Sequence, residues 1–293
     1  MKAVLNRNIA ILIMFAALSF VFTTCKDNSN DDINTGSNWN ILCLIVKDVN
    51  TTKQIDDVPA SFTASMTDDE VEIAKQMFQK FKFYFNAMAN GQINISIDVW
   101  VADTQMETLT NQGGRYFPMS HDIYPHAFPY LNTKKYDQVI CLFASNDDAN
   151  IPFYTVGLGA MRQNGIWYSS VRFIPCYNKD CCYPNVFDCN NNTVPICLNK
   201  QMAYTFVEVL IHEFLHTFDA GIMGINIIDN QPPEWRQCYQ DRLKNNHYNY
   251  QGRGDIPAPL TWDFYYDVMN NNVPTSTGKI GIPSETYKLN RNK

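Results

Sequence analysis

No long run of basic residues occurs anywhere in the chain, and the formal charge is −6. That excludes the electrostatic footprint of a nucleic-acid-binding protein. No internal repeat is visible, and no sharp linker interrupts the chain after residue 40, so solenoids and strings of small domains are set aside. The cysteines form no C-x-x-C pair, which argues against a structural zinc knot. Charged residues are sparse at 18%, while hydrophobic residues reach 45%. A chain of 293 residues with that balance folds around a substantial apolar core.

The one uncharged apolar run worth reading as an address is at the start. Met1-Lys2 and Arg7 give a positive beginning, and Ile9 to Phe22 contains no charge before Thr23-Thr24-Cys25. This is the layout of a signal peptide, too short for an ordinary membrane span. Cys25 in that position resembles the lipobox cysteine of bacterial lipoproteins, which is lipidated and becomes the mature N-terminus. The following Lys26-Asp27-Asn28-Ser29-Asn30-Asp31-Asp32 reads as a flexible tether and resembles the export signal of Bacteroidetes surface lipoproteins. The resemblance implies a signal peptide over 1–24, a lipidated Cys25 with tether over 25–38, and an extracytoplasmic protein held on the outer membrane, on its periplasmic side or at the cell surface. Outside the cytoplasm the eight remaining cysteines favour disulfides. Five of them crowd into 176–197, a loop expected to be stapled and tied to Cys238. Cys43 and Cys141 lie in apolar strand-like runs and fit buried thiols.

Periodicity sets the elements. Trp39 to Val49 is a compact apolar run that reads as a buried strand. Thr67-Asp68-Asp69-Glu70 is a capping box, and Val71, Ala74, Met77, Phe78, Phe81, Tyr84, Phe85 and Met88 follow at helical spacing until Gly91. Ile93, Ile95, Ile97, Val99 and Val101 alternate as in a half-buried strand. Residues 103–135, with Gly113-Gly114 and several prolines, read as irregular. Tyr136–Ser145 predicts another buried strand. Two more extended segments near 156–160 and 167–174 flank a turn at Asn164-Gly165. Gly157-Leu158-Gly159 marks either a bulge or an edge that pairs with an extended substrate. A helix is predicted from about Gln201 to Asp219. The whole predicts an α+β (mixed α/β) fold, with a main unit over 39–225 and a smaller, less regular lobe over 226–293.

That last helix carries the chemistry. Ala203, Phe206, Val207, Leu210, Ile211, Phe214 and Phe218 form its apolar side. Thr205, Glu208, His212, His216 and Asp219 form a polar stripe on another face. Burying such a stripe is costly unless a metal or a charge partner satisfies it. His212 and His216, one turn apart, point the same way and can grip one ion. Glu213, about 100° further round, can reach a water on that ion and take its proton.

Val209-Leu210-Ile211-His212-Glu213-Phe214-Leu215-His216-Thr217 resembles the active-site helix of the zincin metallopeptidases. The resemblance implies a zincin-like domain, with a twisted sheet packed on the motif helix. It further implies a zinc ion held by His212 and His216, Glu213 as general base, peptide or protein substrates, and a third protein ligand further along. The strict metzincin branch would place Gly and a ligand where this chain has Asp219 and Ile222. The third ligand is therefore sought elsewhere. His247, the one histidine after the motif, is favoured because neutral imidazole suits zinc. Glu234, Asp219 and Asp229 remain alternatives, Asp219 fitting better as an orienter of a ligand His. Tyr265 and Tyr266 are candidates to stabilise an oxyanion, with aromatic core packing as the plainer role for each. A monomer is expected. The rival readings are a non-catalytic surface lipoprotein that binds a glycan or host protein, and a metallohydrolase of a non-peptide bond.

Overall fold

In the computed structural model, the described residues are 37–55, 57–145, 157–173, 198–230, 233–245, 247 and 260–288. The expected signal peptide, lipidated Cys25, the tether as far as residue 36 and the cysteine-rich loop lie outside them, while Ser37 and Asn38, expected as the end of the tether, pair with Ile93 and Asn94 as the start of a strand. Among the described residues no helix is long and apolar enough to cross a membrane.

The architecture is α+β, as the sequence implied. The strongest apolar runs become the inner strands of one mixed sheet. Strand β1 (Ser37–Val46) pairs in parallel with β4 (Ile93–Val101) on one side and β7 (Gln138–Ala144) on the other. β7 pairs in parallel with β9 (Ile166–Phe173), and β8 (Gly157–Gln163) closes that side antiparallel to β9. The order is β4-β1-β7-β9-β8. Every residue of β7 is buried, as a central strand covered on both faces requires. The β8–β9 hairpin turns at Asn164 and Gly165, both with positive φ, the geometry of a type I′ turn.

Helix α1 (Asp68–Met88) begins with the expected capping box. The Glu70 backbone N–H donates to Thr67 Oγ1 (3.3 Å), and the Thr67 N–H donates to the Glu70 carboxylate (2.6 Å). It packs against β4 and against α3 (Leu198–His216). Phe81, Phe85, Phe214, Phe218 and Trp39 meet edge-to-face between them, the favoured aromatic geometry. The buried face of α3 therefore matches its apolar stripe, with Val207, Leu210, Ile211, Phe214 and Leu215 all fully buried.

Two segments differ from the sequence reading. Residues 48–65 form the hairpin of β2 (Asp48–Ile55) and β3 (Val58–Ser65). The stretch 103–135 is not irregular. It contains the hairpin of β5 (Thr110–Gln112) and β6 (Arg115–Phe117), then helix α2 (Ser120–Leu131). Pro125 and Pro129 both lie on its exposed side, while Asp122, Ile123, His126 and Ala127 are buried. The carbonyls left unpaired by proline then face water, which makes the helix tolerable.

The C-terminal lobe has α4 (Pro233–Lys244), α5 (Leu260–Met269) and the hairpin of β10 (Val273–Thr275) and β11 (Gly278–Ile280). Arg242 joins the two helices. Its Nη1 donates to Asp263 (2.6 Å) and Asp267 (2.7 Å), and the Tyr239 hydroxyl also donates to Asp267. Cys238 on the same helix is a half-buried free thiol, not the disulfide partner expected from the sequence. The polar clamp of Arg242 and Tyr239 holds α4 in place of a covalent tie. Cys43 and Cys141 are fully buried free thiols, as expected.

Candidate metal centre

The motif helix does not end like an ordinary helix. After His216 it widens into a π-helical turn, Thr217–Ile222, in which the Met223 N–H donates five residues back to Phe218 (3.0 Å). Such turns are rare and gather at functional sites. Here the widening turns Asp219 inward. Asp219 is fully buried. Its Oδ1 accepts from the ring Nδ1–H of His216 (3.2 Å) and from the Ala220 N–H (2.5 Å). Its Oδ2 accepts from the Ile228 N–H (3.0 Å), and its backbone carbonyl accepts from Ile225 (2.9 Å). One carboxylate thus fixes a His ring and pins the loop that carries Asp229.

Asp229 completes the group. Its Oδ1 lies 3.5 Å from His212 Nε2 and 3.6 Å from His216 Nε2, and the two Nε2 atoms are 3.1 Å apart. Asn226 Nδ2 donates to the other carboxylate oxygen, Oδ2 (3.0 Å), leaving Oδ1 turned to the histidines. Among the described residues these three form the group whose donor atoms lie close enough to share an ion. Donors at tetrahedral positions about 2.0–2.1 Å from zinc stand about 3.3 Å apart. The three observed edges bracket that value. Two nitrogens and one oxygen, with a fourth direction open to the cleft, are a donor set suited to a catalytic divalent cation.

Two proton arrangements satisfy these distances. In one, Tyr265 OH donates to His212 Nδ1 (3.1 Å) and the His212 Nε2–H donates to His216 Nε2. In the other, both Nε2 atoms keep their lone pairs and would be open to a cation, and the His212 Nδ1–H donates to the Tyr265 oxygen. In both, Asp219 holds the Nδ1–H of His216 and keeps its Nε2 lone pair forward. The near-equal approach of Asp229 to both rings (3.5 and 3.6 Å) suits a third donor in the second arrangement and an ion pair with the rings when they are protonated.

The remaining expected residues fall as follows. His247 is exposed just beyond α4, its N–H bonded to Arg242 O (2.8 Å), and the structure does not bring it to the group. Asp229, one of the alternatives to His247, is the third member of the group. Asp219 is the orienter its position suggested. The side chain of Glu234 lies outside the described residues. Tyr265 is buried, with its hydroxyl at His212 Nδ1, the edge of the ring away from Asp229. It therefore orients the His212 ring and does not line the cleft. Tyr266 is half-buried on α5, where its backbone carbonyl accepts from the Asn270 N–H and side chain, and it does not line the cleft.

Glu213 is buried at 5% exposure. Burial pushes its carboxyl up to about 7, with Asp229 adding to the rise and the two His charges opposing it. His216 is raised as well. Burial works against its charge, but the Asp219 hydrogen bond and the charges of Glu213, Asp219 and Asp229 outweigh it. Asp229 is held well below the usual carboxylate range, foremost by His212. Both raised groups act in the same direction on stability. Between their ordinary and folded values the folded chain keeps protons that the unfolded chain has lost, so stability declines as pH rises. The cation-free protein should melt at falling temperature from about pH 5 to pH 7, the range set by Glu213. The melting shift caused by added zinc should grow over the same range, because the ligands bind metal deprotonated.

The edge strand presses on this helix. A Cβ at Gly157 would stand 2.4 Å from Glu213 Oε1, and one at Gly159 would stand 2.4 Å from the Glu213 carbonyl oxygen and 2.8 Å from His216 Cβ. Glycine is required at both places by close approach, and the register shift between Leu158 and Met161 supplies the bulge foreseen there. From below, Ser169 Oγ donates to the Glu213 carbonyl (3.0 Å), Gln138 Nε2 donates to Ser169 (2.7 Å), and Thr217 Oγ1 donates to Gln138 (2.9 Å). All three side chains are fully buried. Gly159→Ala should cost at least about 1–3 kcal/mol by overpacking, read as a lower melting temperature. Asp219→Asn should weaken zinc binding by about 10–100-fold, measured by competition with a chelating dye.

The group opens on a cleft of about 510 Å³ lined by β8, the motif helix, Asn226, Asp229 and Arg115. No protein-family model matches the sequence, and comparison with curated proteins finds no match.

Proposed function

We propose that the protein is a zinc-dependent metallopeptidase, an endopeptidase that hydrolyses peptide bonds in the cleft above His212, His216 and Asp229. The observation that carries the reading is the near-equilateral triangle of His212 Nε2, His216 Nε2 and Asp229 Oδ1, with edges of 3.1–3.6 Å, beside a buried Glu213. A cation held there polarises a carbonyl and acidifies water.

The protein's own groups do the rest. Asp219 and Tyr265 hold the two rings with their Nε2 atoms forward. Asn226 holds Asp229. Glu213, poised near neutrality by burial, takes the proton of the attacking water and returns it to the leaving amine. Its carboxylate lies against the Gly157 backbone, so a substrate extended along the edge of β8 that is unpaired among the described residues runs past the base. On the same reading, residues 1–24 are removed and Cys25 anchors the enzyme to a membrane outside the cytoplasm.

Purified protein should hold one zinc per chain and cleave an unbiased peptide library, with activity lost to a chelator and restored by zinc. A zinc-replete protein that cleaves no peptide would contradict the proposal.

A further inference from the structure

A second cavity adjoins the metal cleft. It measures about 600 Å³, within the range of small-ligand sites. Met223, Ile225, Ile227 and Ile280 supply its apolar lining, and the exposed Asn230, Asn271 and Lys279 edge it. Among the described residues that line it, Lys279 is the one with a charge, and its Nζ donates to Asn272 Oδ1 (2.6 Å). Asn226 lines this cavity and the metal cleft alike, so the two meet at that residue.

Both walls of the cavity are built. On the loop side, Asp219 accepts from the backbone N–H groups of Ile225 (2.9 Å) and Ile228 (3.0 Å), and Asn226 O accepts from the Asn230 N–H (2.9 Å). On the other side, the end of β11 presses on α5. The Ile282 N–H donates to Val268 O (2.8 Å), and a Cβ at Gly281 would stand 2.5 Å from Asn271 Cα. Glycine alone allows that approach. The lining is therefore set before anything enters, and filling it costs little ordering.

Ile225 is 41% exposed. A large apolar side chain left that open beside an apolar cavity gains when another apolar group covers it. A charged side chain would lose its hydration there without gaining a partner, since Lys279 is held at Asn272. Continuity with the cleft favours an occupant that arrives on the substrate. A peptide held over the metal can send a side chain past Asn226 into this space.

We propose that this cavity is a specificity pocket, which takes a bulky apolar side chain of the substrate close to the cleaved bond. This rests on the peptidase reading and adds a substrate class to it.

The test uses the full chain loaded with zinc and peptide sets that differ only by Leu, Ala or Lys, scanned through the positions flanking the cleaved bond. At one position the Leu peptide should be cleaved with kcat/KM at least about tenfold above its Ala partner, and the Lys peptide should fall lower still. Ile225→Asp should bring the Leu and Ala peptides to about equal rates and raise the Lys peptide. Ile280→Trp, which fills the cavity from the other wall, should put the Ala peptide ahead of the Leu peptide. Zinc content and matched melting curves show that the Asp229 loop is intact in both. Equal cleavage of Leu and Ala peptides at every position, or a Leu preference that survives both variants, overturns the proposal and leaves the peptidase reading intact. So does a dimer in solution that Ile225→Asp dissociates, because the cavity then belongs to a second copy of the chain. If no peptide is cleaved at all, the peptidase reading falls alone. The same sets are then measured for binding to the zinc-loaded chain. A Leu preference that Ile225→Asp abolishes upholds the pocket, and no preference removes it.

Discussion

Glu213→Gln protein is expected to keep its zinc and lose peptide hydrolysis by about 10²–10⁴-fold in kcat. The size of the loss follows from what the carboxylate does. Gln preserves the shape of the side chain in a pocket where Gly157 leaves little room, but it cannot accept a proton. Since none of the three cation donors is altered, zinc content should stay at one per chain. Stability gives a second readout. The buried carboxylate ionises only against desolvation, which pushes it up to about 7. Above that pH the neutral amide spares the folded state the cost of a buried charge. The cation-free variant should therefore melt no lower than the parent at about pH 8. An inactive variant that has lost zinc, or that melts well below the parent, would point to a structural part for Glu213. A fully active variant would exclude it as the base.

Asp229→Ala should release the metal. Removing an outer partner of a metal ligand already weakens binding about 10–100-fold, and removing a ligand outright should exceed the upper end of that range. Two imidazoles alone make a poor site for zinc, which favours four donors. His247→Ala is the paired comparison. That side chain is exposed beyond α4 and outside the donor group, so zinc affinity should not change. Competition with a chelating dye reads both. The opposite pattern, with zinc lost in His247→Ala and kept in Asp229→Ala, would assign the third donor to the other residue.

Much of this arrangement was legible in the sequence. The capping box at Thr67 fixed the start of α1, strict alternation gave β4, and the apolar run from Trp39 gave the inner strand β1. The motif histidines and Glu213 were legible because helical spacing alone places them on neighbouring faces. Asp229 was harder to single out. It is brought back to the helix by the π-turn and by a buried hydrogen bond from Ile228 to Asp219, neither of which has a periodic signal. His247 was favoured on the chemistry of its ring, and chemistry alone says nothing about distance. Tyr265 was legible as a site residue but not in its position, because only the packing of α5 decides which edge of His212 it meets. The two glycines of β8 were ambiguous for a related reason. A bulge and a close approach leave the same trace in a sequence, and here both occur. Helix α2 was obscured by its prolines, which are harmless only because they face water.

The account depends on one cation shared by His212, His216 and Asp229, and X-ray absorption at the zinc edge of the purified protein tests this directly. The predicted first shell has two imidazole nitrogens and two oxygens, one from Asp229 and one from water, at about 2.0–2.2 Å. A shell of three imidazoles, or protein that takes up no zinc at a stoichiometric supply, would contradict it.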